Sequence, residues 1–387
     1  MNNPRVTIIL SSLNHGGFVG EAIQSILDQS YADCELFIID DCSQDNSWEI
    51  IQGFHDPRIT AIRNPVRMRG AYGFNEIINH RARGEFIAIH HSDDVWQPDK
   101  LEKQVSFLDK HQDVGAVFTR VQVIDEKGAP FSEENHYYYR VFEQPNRSRY
   151  EWLYHFFFHG NALCHPSVLV RRECYLDVGA YDRRLGQIAD FEMWIRLCLK
   201  YSIHIIDERL TRFRVFANAL NQSGDKPESH IRCYVEYQLA LRNYLAIATE
   251  EDLYLIFPDI CEMGVSNHNN IPFLVARYAI DRGKFYHKIF GINVLYEMMG
   301  NTALTDELER VYGFSYQDLI KISGKDDIFQ ILLVRKLYAN INKSHKEIDR
   351  IHSTVSWRLT KPLRGIAMLM RGEGGLILQA LREKLKK

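Results

Sequence analysis

The chain has 387 residues, of which 45% are hydrophobic and 25% charged, and its formal net charge is -3. That length suits two domains or one large domain with appendages, and the composition supplies a sizeable core. The same figures argue against a disordered chain and give no global attraction to nucleic acid, and no run of about 18 apolar residues is present to span a bilayer.

The N-terminus, MNNPRVTIILSSLN, reaches a strand-like run within a few residues and has no basic segment leading into a long apolar one, which predicts a cytosolic protein. Seven cysteines are scattered without a C-x-x-C pair, against a zinc ribbon or a disulfide framework. From Arg5 to Ile124, VTIIL, CELFIID, ITAIR, EFIAIH and VGAVFTRVQVI read as strands, and GEAIQSILDQS, SWEIIQGF, GFNEIINHRA and KLEKQVSFLDKH as the helices between them. Near-continuously apolar strands separated by short helices predict an α/β fold with a mainly parallel sheet covered on both faces.

Such sheets bind ligands at the carboxyl ends of their strands. The polar residues closing the strands are therefore the candidates: Ser11, Ser12 and Asn14, then Asp40 and Asp41, then Asp93 and Asp94. Adjacent carboxylates at a buried strand end repel each other unless a cation compensates them, and hard oxygen ligands suit Mg²⁺ or Mn²⁺. The bland reading is an acidic turn capping the next helix, with Pro98 in its first turn. His90 and His91 are candidate ligands as well, although hydrogen-bonded strand-end structure is the preferred reading for both. The glycines of NHGGFVGEA miss a dinucleotide fingerprint, because His15 stands where its first glycine belongs.

Residues 125–160 are aromatic and read as irregular, and a further α/β portion ends near Phe216. Within it Asp190 precedes an amphipathic helix and is either an ordinary N-cap or a general base facing the cleft, with Glu192 as its competitor. From about Glu228 the pattern is helical, after a boundary at NQSGDKPE. Leu337, Ile341, Ile348, Ile351 and Val355 could seat a helical partner or the chain's own core. Ser356 to Lys387 carries eight Lys/Arg against two Glu among apolar residues, a basic amphipathic tail.

The segments VTIILSSLNHGGFVGEAIQSILDQSYADCELFIIDDCSQDNS, RARGEFIAIHHSDDVWQPDKLEKQ and HPSVLVRRECYLDVGAYDRRLGQIADFEMWIRL, in this order and spacing, resemble the family 2 inverting glycosyltransferases of GT-A fold, of the bacterial polysaccharide and O-antigen type. The resemblance covers residues 5 to 216 and implies transfer of a sugar from a nucleotide-diphosphate sugar to an acceptor hydroxyl, with inversion. It places Ser11, Leu13, Asp41 and Asp93 at the donor, with Arg67 and Arg69 approaching the diphosphate. It assigns Asp94 to the divalent metal, Asp190 to the catalytic base, with Ala189 replacing the glutamate of the usual E-D pair, and His165 and Arg171 to the acceptor side. Leu13 stands where an aromatic often stacks on the base, and Phe216 where many relatives carry a histidine near the metal. The implied organisation is a catalytic domain over 1–220, with a nucleotide-sugar half at 1–124 and an acceptor half at 125–220. A helical region over 228–352 and the basic tail at 353–387 follow. A glycan or lipid-linked acceptor fits, and the tail reads either as a peripheral contact with anionic lipid at the inner face of the cytoplasmic membrane or as a helical pair packed on the catalytic domain. The rival classes are a Rossmann-type NAD(P)-dependent oxidoreductase and a non-catalytic sugar-binding or assembly subunit.

Overall fold

A computed structural model describes residues 3–68, 70–131, 137–216, 226–263, 270–360 and 363–364. It divides into two units, 1–320 and 321–387. The first is built on eight strands: β1 (Val6–Ser12), β2 (Cys34–Asp40), β3 (Ile59–Arg63), β4 (Phe86–His91), β5 (Val95–Trp96), β6 (Val114–Ile124), β7 (Leu169–Arg171) and β8 (Ser202–Arg214). They form one sheet in the order β3-β2-β1-β4-β7-β6-β8-β5. The pairs β1–β2, β1–β4, β2–β3 and β6–β8 are parallel, whereas β7 runs antiparallel to both its neighbours and β5 antiparallel to β8.

Every residue of β2 is buried, as are all of β4 except His91, because helices cover both faces of the sheet and leave no solvent side for polar alternation. The helix Val19–Leu27 turns Val19, Ala22, Ile23 and Ile26 onto the sheet, and Lys100–Lys110 turns in Leu101, Gln104, Val105 and Leu108, both at helical spacing. Register then aligns the strand ends: Ser12 pairs with Asp40, and Ser11 with His91. The chain leaves this rim through left-handed backbone at Asn14 (φ 53°) and Cys42 (φ 66°). Asn14 adopts that region readily, while Cys42 does so at a cost of about 1–2 kcal/mol, so the rim is held there by its surroundings.

Residues 137–159, expected to be irregular, contain two helices, Tyr137–Phe142 and Arg149–His159. The second starts from a capping box in which the Ser148 hydroxyl accepts from the Glu151 amide and the Glu151 carboxylate accepts from Ser148. It then buries Trp152, Leu153, Phe156 and Phe157. The helices from Pro227 onward belong to the first unit as far as Ile320. In the second unit the helices Ile331–Ser353 and Val355–Leu359 contain no buried residue. Of the expected basic tail only 353–360 and 363–364 are described. Among the described residues no helix is long and apolar enough to cross a membrane.

Candidate active site

Asp93 and Asp94 follow β4, and with His91 they present three ligand atoms within 4.8 Å of one another. Asp94 is buried at 1% exposure, and its two oxygens differ. Oδ1 accepts the Arg214 backbone N–H at 2.8 Å, whereas Oδ2 is buried without a hydrogen-bond partner and lies 3.9 Å from His91 Nδ1. Burial and then the Asp93 charge hold the Asp94 carboxyl well above the usual carboxylate range. Arg214, at the end of β8, donates from Nε to the Asp93 carbonyl at 2.7 Å and from its guanidinium to Glu21 at 2.6 Å, tying the acidic turn to two other elements. Two carboxylates and an imidazole around an orphaned buried oxygen fit a hard divalent cation.

The two adjacent histidines point to opposite faces and do different things. His90 is fully buried against Trp96, with ring centroids 4.4 Å apart, and its Nδ1 meets the His91 carbonyl at 2.7 Å. Burial pushes its pKa down to about 3, so it is neutral core structure. His91 was expected to be structural too, and the structure instead brings it into the acidic cluster. Its Nε2 lies 3.2 Å from His165 Nδ1, His165 Nε2 lies 2.8 Å from the Tyr181 hydroxyl, and that hydroxyl lies 2.6 Å from Tyr175. If Nδ1 of His91 faces a cation, one proton arrangement satisfies the whole chain: His91 donates to His165, His165 to Tyr181 and Tyr181 to Tyr175. Burial lowers the pKa of both imidazoles, favouring the neutral forms this arrangement needs.

On the other side of β1, Ser11 and Leu13 lie at the strand end, and the Ser11 carbonyl accepts the Ser92 amide at 3.1 Å. Asp41 uses Oδ1 to hold the loop after β3, accepting from Asn64 Nδ2 at 2.8 Å and from the Met68 amide at 2.7 Å. Arg67 is exposed on that loop, and Arg69 lies outside the described residues. His15 reaches Ser92 at 2.8 Å and Asp93 at 3.9 Å. Phe216 packs beside His15 and Phe18, at centroid distances of 6.2 and 5.2 Å, and so supplies apolar contact at the position where the family resemblance leads one to expect a histidine.

Asp190 is the second residue of the helix Ala189–Lys200. Its Oδ2 accepts from Asn161 Nδ2 at 3.0 Å, and burial raises its pKa to about 6 against the pull of the Phe191 amide and of Asn161. Asn161 is delivered by Gly160, whose φ of 85° turns the chain out of the preceding helix and where a Cβ would meet the Tyr237 hydroxyl at 2.2 Å. The rival, Glu192, is engaged elsewhere: it pairs with Arg196 at 2.8 Å and accepts from Asn243. The buried Cys164 thiol is raised by burial and then by both Asp94 and Asp190, so the two carboxylates address one neighbourhood.

Arg171 is not on the acceptor side. It pairs in register with Phe86, at the beginning of β4 and hence at the edge of the sheet opposite the rim. Its guanidinium donates to the carbonyls of Val114, Leu108 and His111 at 2.9, 2.7 and 3.2 Å, bracing the turn into β6. Antiparallel β7 explains this: the chain starts at the rim with His165 and has run to the far edge by Arg171.

A model of the family described as glycosyl transferase family 2 matches residues 7–171. A protein named as a glycosyltransferase, EpsE of Bacillus subtilis, is 30% identical over 200 residues, which cover 50% of this chain and 67% of that protein. The chain belongs to glycosyl transferase family 2. It is a glycosyltransferase, and the oxidoreductase alternative is set aside. A shorter match, 38% identical over 111 residues, covers 29% of this chain and 44% of the Escherichia coli protein WfgD, a UDP-Glc:alpha-D-GlcNAc-diphosphoundecaprenol beta-1,3-glucosyltransferase. A crystal structure of S. aureus TarS in complex with UDP superposes with a TM-score of 0.54 at 16% identity, covering 87% of this chain and 91% of that one. The glycosyltransferase thus has the GT-A fold followed by a helical C-terminal region.

One residue of this glycosyltransferase had no signal in the sequence. Glu236, on the helix Pro227–Arg242, accepts from three successive backbone amides, Gly186, Gln187 and Ile188, at 2.8, 2.8 and 3.0 Å. Those amides form the loop leading into Asp190. Its partners lie about 50 residues away in sequence and are backbone atoms, which no motif encodes.

Proposed function

We propose that the glycosyltransferase moves a sugar from a nucleotide-diphosphate sugar to an acceptor hydroxyl in one inverting displacement, with Asp190 as general base. The observation that carries the base assignment is a partly buried carboxylate with its pKa raised to about 6, steadied by Asn161 and electrostatically coupled to the same thiol as Asp94. Asp190 takes the proton of the acceptor hydroxyl as that oxygen attacks the anomeric carbon, and the nucleoside diphosphate leaves from the opposite face. Asp94, Asp93 and His91 would hold Mg²⁺ or Mn²⁺, which supplies positive charge against the leaving diphosphate. Ser11, Leu13 and Asp41 line the nucleotide side, and Asp41 shapes it through the 64–68 loop. His165 orients His91 and faces the acceptor half. A lipid-linked glycan is the acceptor class that the name of the WfgD relative supports, and the basic segment 353–387 would approach the anionic surface that carries such a substrate.

Two substitutions test the assignment separately. Asp94→Ala is expected to abolish the metal-dependent thermal stabilisation given by a nucleotide sugar, while Asp190→Asn keeps that stabilisation and loses turnover. Near-full turnover by Asp190→Asn would remove the base assignment. Undiminished metal-dependent stabilisation of Asp94→Ala would remove the metal site.

A further inference from the structure

The helix Ile331–Ser353 begins where the Asp327 carboxylate accepts the amides of Ile331, Leu332 and Leu333, and none of its residues is buried. Its apolar side chains are nevertheless ordered along it. Val334, Ile341 and Ile348 repeat every seven residues, and Leu337, Ser344 and Ile351 follow each of them by three. These are the a and d positions of three heptads. The five apolar members are 43 to 51% exposed, a seam interrupted only by Ser344 and, among the described residues, left about half open to solvent.

The charge pattern says what covers it. The helix carries five cations, Arg335, Lys336, Lys343, Lys346 and Arg350, and all of them fall at b, c or f, away from the seam. The flanking e and g positions hold Ile331, Leu333, Tyr338, Asn340, His345, Glu347 and His352, with no lysine or arginine among them. A second copy of a basic helix is normally repelled, and here it meets none of the lysine or arginine charge. In a parallel pair Glu347 at g faces His352 at e of the other copy. A lipid surface would instead favour a broad apolar face, which Ile331, Leu332, Leu333 and Tyr338 provide only in the first two turns; from Ile341 onward the large apolar side chains keep to the a and d seam. All three a positions are β-branched, which with Leu337 at d favours two parallel strands, and Ser344 is the single polar residue of the seam.

We propose that the helix Ile331–Ser353 pairs in parallel with the same helix of a second copy, making the glycosyltransferase a two-stranded coiled-coil dimer. The seam then buries the five apolar side chains of each copy, and the catalytic units are joined by this helix pair.

Sedimentation equilibrium of the full chain at micromolar concentration tests the pairing. Twice the chain mass is expected, falling to the single mass in the double substitution Ile341→Asp and Ile348→Asp. Thermal unfolding of the catalytic unit and donor turnover should be unchanged by that pair of substitutions, since both sites are exposed in the single chain. Ser344→Cys should cross-link two copies under mild oxidation, beyond any background from the native cysteines, because a d position meets itself only in a parallel, in-register pair. A monomeric wild type overturns the proposal, and so does a double variant that stays dimeric. A monomer that floats with phosphatidylglycerol vesicles through Ile341 and Ile348 identifies the seam as a lipid face and also overturns it. A dimer in which Ser344→Cys does not cross-link overturns the parallel register.

Discussion

Asp190 and Asp94 are both carboxylates withdrawn from water, and their neighbours separate their tasks. Asp190 has only neutral donors, the Phe191 amide and the Asn161 side chain, and a pKa of about 6, while Asp94 has a second carboxylate beside it and an orphaned oxygen. A base works deprotonated, so turnover should rise through about pH 6 and level above it, as a pH–rate profile will show. Asn161 favours the ionised form, so Asn161→Ala should move this acid limb to higher pH. Asp190→Asn should lower kcat by about 10²- to 10⁴-fold and still raise the melting temperature at pH 7. The sign follows from linkage. Burial makes the charged carboxylate unfavourable in the fold, a penalty complete above the folded value near 6 and absent below the unfolded value near 3.8. The stabilising effect of asparagine should therefore vanish as the pH falls through that window. At this scale the sequence carried the acidic pair and Asp190 as residue types at strand and helix ends. It did not carry the difference between His90 and His91, because only the packing decides which of two neighbours faces Trp96 and which the rim.

Elements bring these groups together, and two contacts do so across long stretches of chain. The Glu236 carboxylate holds the 186–188 loop and hence the start of the helix bearing Asp190. Glu236→Gln should lower kcat and leave the donor KM unchanged in steady-state kinetics, whereas loss of a purely structural contact would show only in the melting temperature. Arg171 acts at the opposite edge, where its guanidinium satisfies three carbonyls. Arg171→Met should cost about 1.5–3 kcal/mol in denaturant unfolding, because the charge-assisted hydrogen bonds from the buried guanidinium to these carbonyls are lost, and should not change the acceptor KM. The parallel strands β1 to β4 and their helices were legible because apolar period and turn residues are local. The helix Arg149–His159 also had a local signal, the Ser148–Glu151 capping box, which the aromatic run after it obscured. The reversal at β7 had none, since three residues cannot state a strand's direction, and that reversal sends Arg171 away from the rim that His165 occupies.

At the scale of the molecule, the catalytic unit runs to Ile320, and the helix Ile331–Ser353 belongs to a second unit. A chain ending at Ser323 should keep the melting temperature and donor turnover of the full chain, measured by calorimetry and a donor hydrolysis assay. A chain ending at Ser353 should lose flotation with anionic vesicles if the basic segment is the lipid contact. Equal flotation of both would remove that role. What the sequence determined by itself was everything carried by spacing along the chain: a covered α/β sheet, an acidic rim at its strand ends, an amphipathic helix after Asp190, and apolar residues at the spacing of a helical seam. Each depends on period or on residues within a turn of one another. Only the tertiary structure decided that His91 joins Asp93 and Asp94, that Glu236 clasps the loop before the base, and that Arg171 braces the far edge. Those outcomes depend on strand order and register, so they join residues that no local pattern connects.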